Sequence, residues 1–139
     1  MPLRVLIVDD SSSMRAVVKK TLAAAGYAVQ TCLEAPDGAQ ALEILRQQEV
    51  DVVLSDLHMP NMDGLELLRR LHKEGRVPAC FILVTTEGRK DRLKEALGLG
   101  ARGYVSKPFH PEGLRKILTL LVGEPDGDQL EQGPEGLDF

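Results

Sequence analysis

Five polar side chains in this sequence stand where chemistry could be done. Asp9 and Asp10 follow Val5-Leu6-Ile7-Val8, and Asp56 follows Val52-Val53-Leu54-Ser55. Thr85 follows Phe81-Ile82-Leu83-Val84, and Lys107 follows Tyr104-Val105-Ser106. Short apolar runs bounded by turn residues read as buried strands of a parallel sheet. The carboxyl edge of such a sheet is where ligands bind. Three carboxylates gathered there repel one another, and a hard divalent cation relieves the repulsion. Mg²⁺ accepts one or two carboxylates, waters and a phosphate oxygen, so it suits this set better than a transition metal. The Thr85 hydroxyl and the Lys107 ammonium can hold the oxygens of a phosphoryl group beside it. Asp56 is then the nucleophile, and the product is an aspartyl phosphate. Singly, each residue has a structural reading. Asp9 or Asp10 can cap a helix, Thr85 can end a strand, Asp56 can be paired, and Lys107 can pair with an acid. Their common position at strand ends is what favours chemistry.

The elements that must position them alternate five times between strand-like runs and helical stripes, which indicates an α/β fold with a parallel sheet. Strands are expected at Leu3–Val8, Tyr27–Leu33, Asp51–Ser55, Ala79–Val84 and Gly103–Val105. The second is the least apolar and belongs near an edge; the fourth is the most apolar and belongs centrally. The first helix starts at the Ser11-Ser12-Ser13 caps and presents Met14, Val18, Leu22 and Ala25, ending at Gly26. Asp37 with Gln40 starts a second helix buried through Ala41, Leu42 and Leu45. A third carries Leu65, Leu67, Leu68 and Leu71, and a fourth runs from about Arg89 to Leu97. A fifth presents Leu114, Ile117, Leu118 and Leu121. The alternation fits a flavodoxin-like, doubly wound five-stranded parallel sheet of order 2-1-3-4-5 with five helices.

Composition bounds the rest. The chain has 139 residues, 43% hydrophobic and 27% charged, as expected of one soluble globular domain. No apolar run approaches the roughly 20 residues of a membrane span, and no signal-peptide pattern opens the chain, so a cytoplasmic protein is expected. Cys32 and Cys80 have no metal or redox spacing and read as small hydrophobes. The net charge of −4 is uneven, because residues 123–139 hold six acids and no base. That segment, with four glycines and two prolines, reads as a flexible acidic tail beyond a domain of residues 1–122. The near-neutral domain argues against nucleic-acid binding.

With these motifs in place, the chain resembles the receiver domains of two-component response regulators. The matching pieces are Val8-Asp9-Asp10-Ser11, Ser55-Asp56 with Met59-Pro60-Asn61-Met62-Asp63-Gly64, Val84-Thr85-Thr86, and Tyr104-Val105-Ser106-Lys107-Pro108-Phe109. The resemblance covers about residues 3–122. Asp10-Ser11-Ser12-Ser13-Met14-Arg15 and Pro60 to Leu68 are most similar to single-domain chemotaxis regulators. The resemblance implies that Asp56 is the phosphoacceptor, served by a sensor histidine kinase or a small acyl phosphate. It implies that Asp9, Asp10, Asp56 and the backbone carbonyl of His58 surround Mg²⁺, and that Thr85 and Lys107 bind the phosphoryl group. Thr85 and Tyr104 would form the switch, and the Lys107–Pro108 bond would be cis. A monomer would then signal to a flagellar motor switch or other motility component through helix four, strand five and helix five. It would act as no enzyme beyond its own phosphotransfer and dephosphorylation.

Some positions depart from the closest pattern. His58 and Glu87, each two residues beyond Asp56 or Thr85, look like tuners of phosphoryl lifetime, though His58 also reads as a solvated loop imidazole. His110 replaces the usual Ser or Thr cap of helix five, offset in part by Pro111. Thr86 stands where small residues are common, and its bulk would affect access to the phosphate. Arg89, Lys90, Arg92 and Lys94 open helix four, so the acidic tail could fold back over the output face; a solvated end is the simpler reading. A phosphatase would want Asp-x-Asp after strand one, and flavodoxin a hydroxyl- and glycine-rich loop. Neither pattern is present. A phosphorelay intermediate, a phosphate sink or a receiver excised from a longer regulator remain the alternatives to a chemotaxis effector.

Overall fold

The apolar runs and amphipathic stretches become ten elements in the computed structural model, which describes residues 3–86, 88–107 and 110–123. They are β1 (Leu3–Val8), α1 (Ser12–Ala24), β2 (Val29–Ala35), α2 (Gly38–Gln47) and β3 (Val52–Ser55), followed by α3 (Gly64–Glu74), β4 (Phe81–Thr85), α4 (Lys90–Gly98), β5 (Gly103–Ser106) and α5 (Pro111–Val122). All neighbouring strands pair in parallel, in the order β2-β1-β3-β4-β5. The flavodoxin-like expectation is met.

Strand residues alternate between two buried layers, which is why the runs are apolar throughout. Val5, Ile7, Val52, Leu54, Ile82 and Val84 lie in a layer with Val18 and Leu22 of α1 and Leu114 and Leu118 of α5. Leu6, Val8, Val53, Phe81 and Leu83 lie in the other, with Leu42 of α2, Leu68 of α3 and Leu93 of α4. α1, α2, α3 and α5 turn the stripes expected of them toward these layers. Ser11, Asp37 and Asp63 cap α1, α2 and α3, each accepting the backbone N–H three residues on. His110 gives α5 no side-chain cap, and Pro111 stands at its first position, as expected.

β1 has the expected bounds, β3 and β5 differ by one residue at one end, and β2 and β4 start two residues later than expected. β2 begins at Val29 and not Tyr27, because the chain is still crossing from α1 to the sheet there. Leu3 N–H donates to Ala28 O (2.9 Å), while the Tyr27 hydroxyl donates to Gly123 O (2.8 Å) and meets Thr119 Oγ1 (3.2 Å). β4 begins at Phe81 and not Ala79, which is exposed. It is a fully buried inner strand, but the middle strand is β3. No helix among the described residues is long and apolar enough to cross a membrane. The Lys107–Pro108 bond, Glu87 and residues 124–139 of the expected tail lie outside the described residues.

Candidate functional site

Strand register does most of the placing. Val8 of β1 is the partner of Ser55 of β3, so Asp9 and Asp56 leave adjacent strands side by side. Asp56 N–H donates to Val8 O (2.9 Å), and Asp9 N–H donates to Ala35 O (3.0 Å). On the other flank Thr85 is the partner of Ser106, and Lys107 N–H donates to Thr85 O (3.0 Å). From there the lysine side chain reaches across the edge. Its Nζ donates to Asp56 Oδ2 at 2.9 Å and to Asp9 Oδ2 at 3.1 Å.

Carboxylate oxygens of Asp9, Asp10 and Asp56 all lie within 4.8 Å of one another. Asp9 and Asp56 are buried, at 4% and 8% exposure, and Thr85 is buried at 1%. Asp10 is exposed and makes no hydrogen bond or ion pair among the described residues. Ser11 N–H donates to Asp9 Oδ1 (2.9 Å) and His58 N–H to Asp56 Oδ1 (3.2 Å). One ammonium therefore faces three carboxylates, leaving two negative charges unbalanced. Each oxygen retains acceptor capacity beyond these bonds. An all-oxygen, doubly negative, half-open cluster fits a hard divalent cation such as Mg²⁺. Burial alone would lower the Lys107 pKa, but hydrogen bonds to Asp56 and Asp9 outweigh it and hold the ammonium above the usual lysine value.

The structure thus gathers Asp9, Asp10, Asp56 and Lys107, with Thr85 at the adjoining strand end. His58 touches the cluster through its backbone N–H, and its side chain is exposed. Tyr104 stands out on edge strand β5, 46% exposed. Three supports escaped the sequence. Arg15 donates to Asp9 O (2.6 Å) and to Glu34 Oε1 (2.8 Å), and Lys19 donates to Glu34 Oε2 (2.8 Å). These bonds, first from Lys19 and then from Arg15, hold the Glu34 carboxyl below the usual range. Gly64 lies so close under the acceptor that a Cβ there would sit 2.3 Å from Asp56 O. Asn61 reaches back to Asp37 (2.8 Å). The only sequence signals were a basic residue in the first helix, a turn glycine and a turn asparagine.

Comparison with known proteins agrees with this geometry. The family model for the response regulator receiver domain matches residues 5–119. The chain is 38% identical over 128 residues to a chemotaxis protein CheY homolog of Campylobacter jejuni, covering 91% of this chain and 97% of that one. It is 37% identical over 126 residues to chemotaxis protein CheY1 of Helicobacter pylori, covering 89% and 100%. Among solved structures it is similar to chemotaxis protein CheY4 of Vibrio cholerae, with a TM-score of 0.75, 35% identity, and coverage of 88% and 100%. With the acid cluster, the 2-1-3-4-5 sheet and a family match across nearly all the described residues, this chain belongs to the response regulator receivers of two-component systems.

Proposed function

We propose that this receiver accepts a phosphoryl group on Asp56 from a sensor histidine kinase and thereby switches its affinity for a downstream protein. The observation that carries the reading is the Lys107 ammonium, 2.9 Å from Asp56 and 3.1 Å from Asp9, inside a cluster of three carboxylates. An Asp56 carboxylate oxygen attacks phosphorus, the bond from phosphorus to the donor nitrogen or acyl oxygen breaks, and the donor leaves with the electron pair. Lys107 and the Thr85 hydroxyl bind the transferred oxygens. Asp9, Asp10, the Asp56 carboxylate and the His58 carbonyl hold Mg²⁺. When bound, the ion neutralises charge developing on the phosphoryl oxygens. Water attack on phosphorus later returns the carboxylate and inorganic phosphate, with His58 and Glu87 tuning the rate.

Threonine and Tyr104 carry the signal outward. Thr85 follows the phosphoryl group, the exposed Tyr104 ring moves inward, and the face of α4, β5 and α5 changes shape. A shift from a few per cent active to mostly active needs about 3–4 kcal/mol of differential stabilisation. One lysine–phosphate pair, one hydroxyl contact and one repacked ring can supply it. The similarity to chemotaxis regulators favours a cytoplasmic role in chemotaxis or motility, with a motor-switch component as reader. Asp56→Asn abolishes Mg²⁺-dependent labelling by a small acyl phosphate; labelling of the variant at the wild-type rate would refute the assignment. Titrating motor-switch protein with and without a phosphoryl mimic tests the reader, and equal affinity would point to a phosphate sink instead.

A further inference from the structure

The loop between β3 and α3 carries His58 between the acceptor and the helix, and its path is unusual. Asn61 has φ +67°, the one positive φ outside glycine among the described residues. A side chain with a Cβ disfavours that conformation, which persists where surrounding contacts over-determine it. Met62 N–H closes the turn onto Pro60 O (2.7 Å), and Gly64 N–H bonds Leu57 O (2.9 Å). The outer contacts come from the start of α2. Asn61 Nδ2 donates to Asp37 Oδ2 (2.8 Å), and Gly38 N–H donates to Met62 O (2.8 Å). The approach is so close that a Cβ on Gly38 would lie 2.7 Å from Met62 O.

Capping alone does not account for Asp37. Its Oδ1 accepts the Gln40 N–H (2.9 Å), the capping bond of α2, and serine would accept it as well. Its Oδ2 is the part that a serine lacks, and it is spent on Asn61. Asp37 itself is 5% exposed, so its second oxygen meets this amide at the boundary between the packed start of α2 and the exposed loop.

We propose that Asp37 and Asn61 are positioning residues of the phosphoacceptor site, a clamp from the start of α2 that fixes the loop bearing His58 and so sets Mg²⁺ affinity. The inference rests on the receiver reading of Asp56. Outer partners that orient metal ligands are worth tenfold or more in metal affinity. The clamp acts on the backbone that presents one ligand, so its loss is felt in binding before chemistry.

Two variants each keep the local conformation and remove the clamp. Asp37→Ser retains the α2 cap, and Asn61→Gly retains the positive φ. Calorimetric titration with Mg²⁺ alone should give about 10-fold weaker binding in each. The double variant should be no weaker than either single one, as members of one contact do not add. Amide hydrogen exchange of His58 and Met62 should speed up in both without Mg²⁺, while urea midpoints show that both fold. Phosphorylation by acetyl phosphate should recover toward the wild-type rate at saturating Mg²⁺. Wild-type Mg²⁺ affinity in both single variants, or effects that multiply in the double, would overturn the clamp. Wild-type protein that binds no Mg²⁺ and takes no phosphate would instead overturn the receiver reading and the metal role of the clamp with it; faster loop exchange in the variants would then mark a purely structural tie.

Discussion

Lys107 is shared by two acids that repel each other, and its charge state ties stability to pH. Its pKa is raised above that of a free lysine, so its contribution is fully present below about 10.4 and is lost as pH climbs through the higher folded value. Lys107→Ala leaves Asp9 and Asp56 buried beside each other without a counter-charge. It should cost about 3 kcal/mol in Mg²⁺-free urea denaturation at pH 8, with part of the loss restored by Mg²⁺. Asp10 presents the opposite case. It is exposed and adds a third negative charge to a cluster with one cation, so Asp10→Asn should raise the melting temperature without Mg²⁺ and remove the stabilisation that Mg²⁺ confers on the wild type. Calorimetry in EDTA and in Mg²⁺ checks both. The cluster was legible because each member ends an apolar run. Arg15 with Glu34 was not, since no spacing rule joins residues whose approach depends on how a helix lies over β2.

Helix starts set the next scale. Asp63 caps α3 by accepting the Glu66 N–H (2.8 Å) and faces Arg92 of α4 at 3.7 Å. Asp63→Ala should cost about 1 kcal/mol. α5 starts without a side-chain cap, so His110→Ser should gain about 0.5–1 kcal/mol in urea denaturation. Asp37 adds a pH dependence of its own. The Gln40 backbone bond and then the Asn61 amide hold its carboxyl below the usual range. A lowered folded pKa contributes stability above about 3.9 that disappears as pH falls through the folded value. The destabilisation by Asp37→Ser should therefore shrink on moving from pH 7 to acid conditions. Helix faces and caps were readable from periodicity and from Ser, Asp and Gly positions. The start of β2 was not, because Tyr27 is apolar enough to look like strand. Its hydroxyl instead finds Thr119 and Gly123, more than ninety residues away.

For the molecule as a whole, two apolar layers close over the three inner strands β1, β3 and β4, and thiol chemistry reports on them. Cys80 is buried in the α1–α5 layer, and burial pushes its thiol up to about 11. At neutral pH it should react with a disulfide reagent only as fast as the domain unfolds globally. Cys32 is half-buried on edge strand β2 and should react first. Equal rates for both in native buffer would contradict the layering. The alternation of runs indicated a parallel sheet and fitted the flavodoxin-like strand order, but which loops touch was not legible, and that is where the supports of the site lie. The two ends of the described domain offer an engineering handle. Leu3 bonds Ala28 O and Gly123 O accepts the neighbouring Tyr27 hydroxyl, so both ends are tied to the Tyr27–Ala28 segment that leads into β2, whereas Asp56 follows the carboxyl end of β3. A fluorescent reporter fused at either end would hang clear of the acid cluster. A short glycine linker from one end to the other would give a circular permutant whose new opening can be cut wherever a sensor needs it.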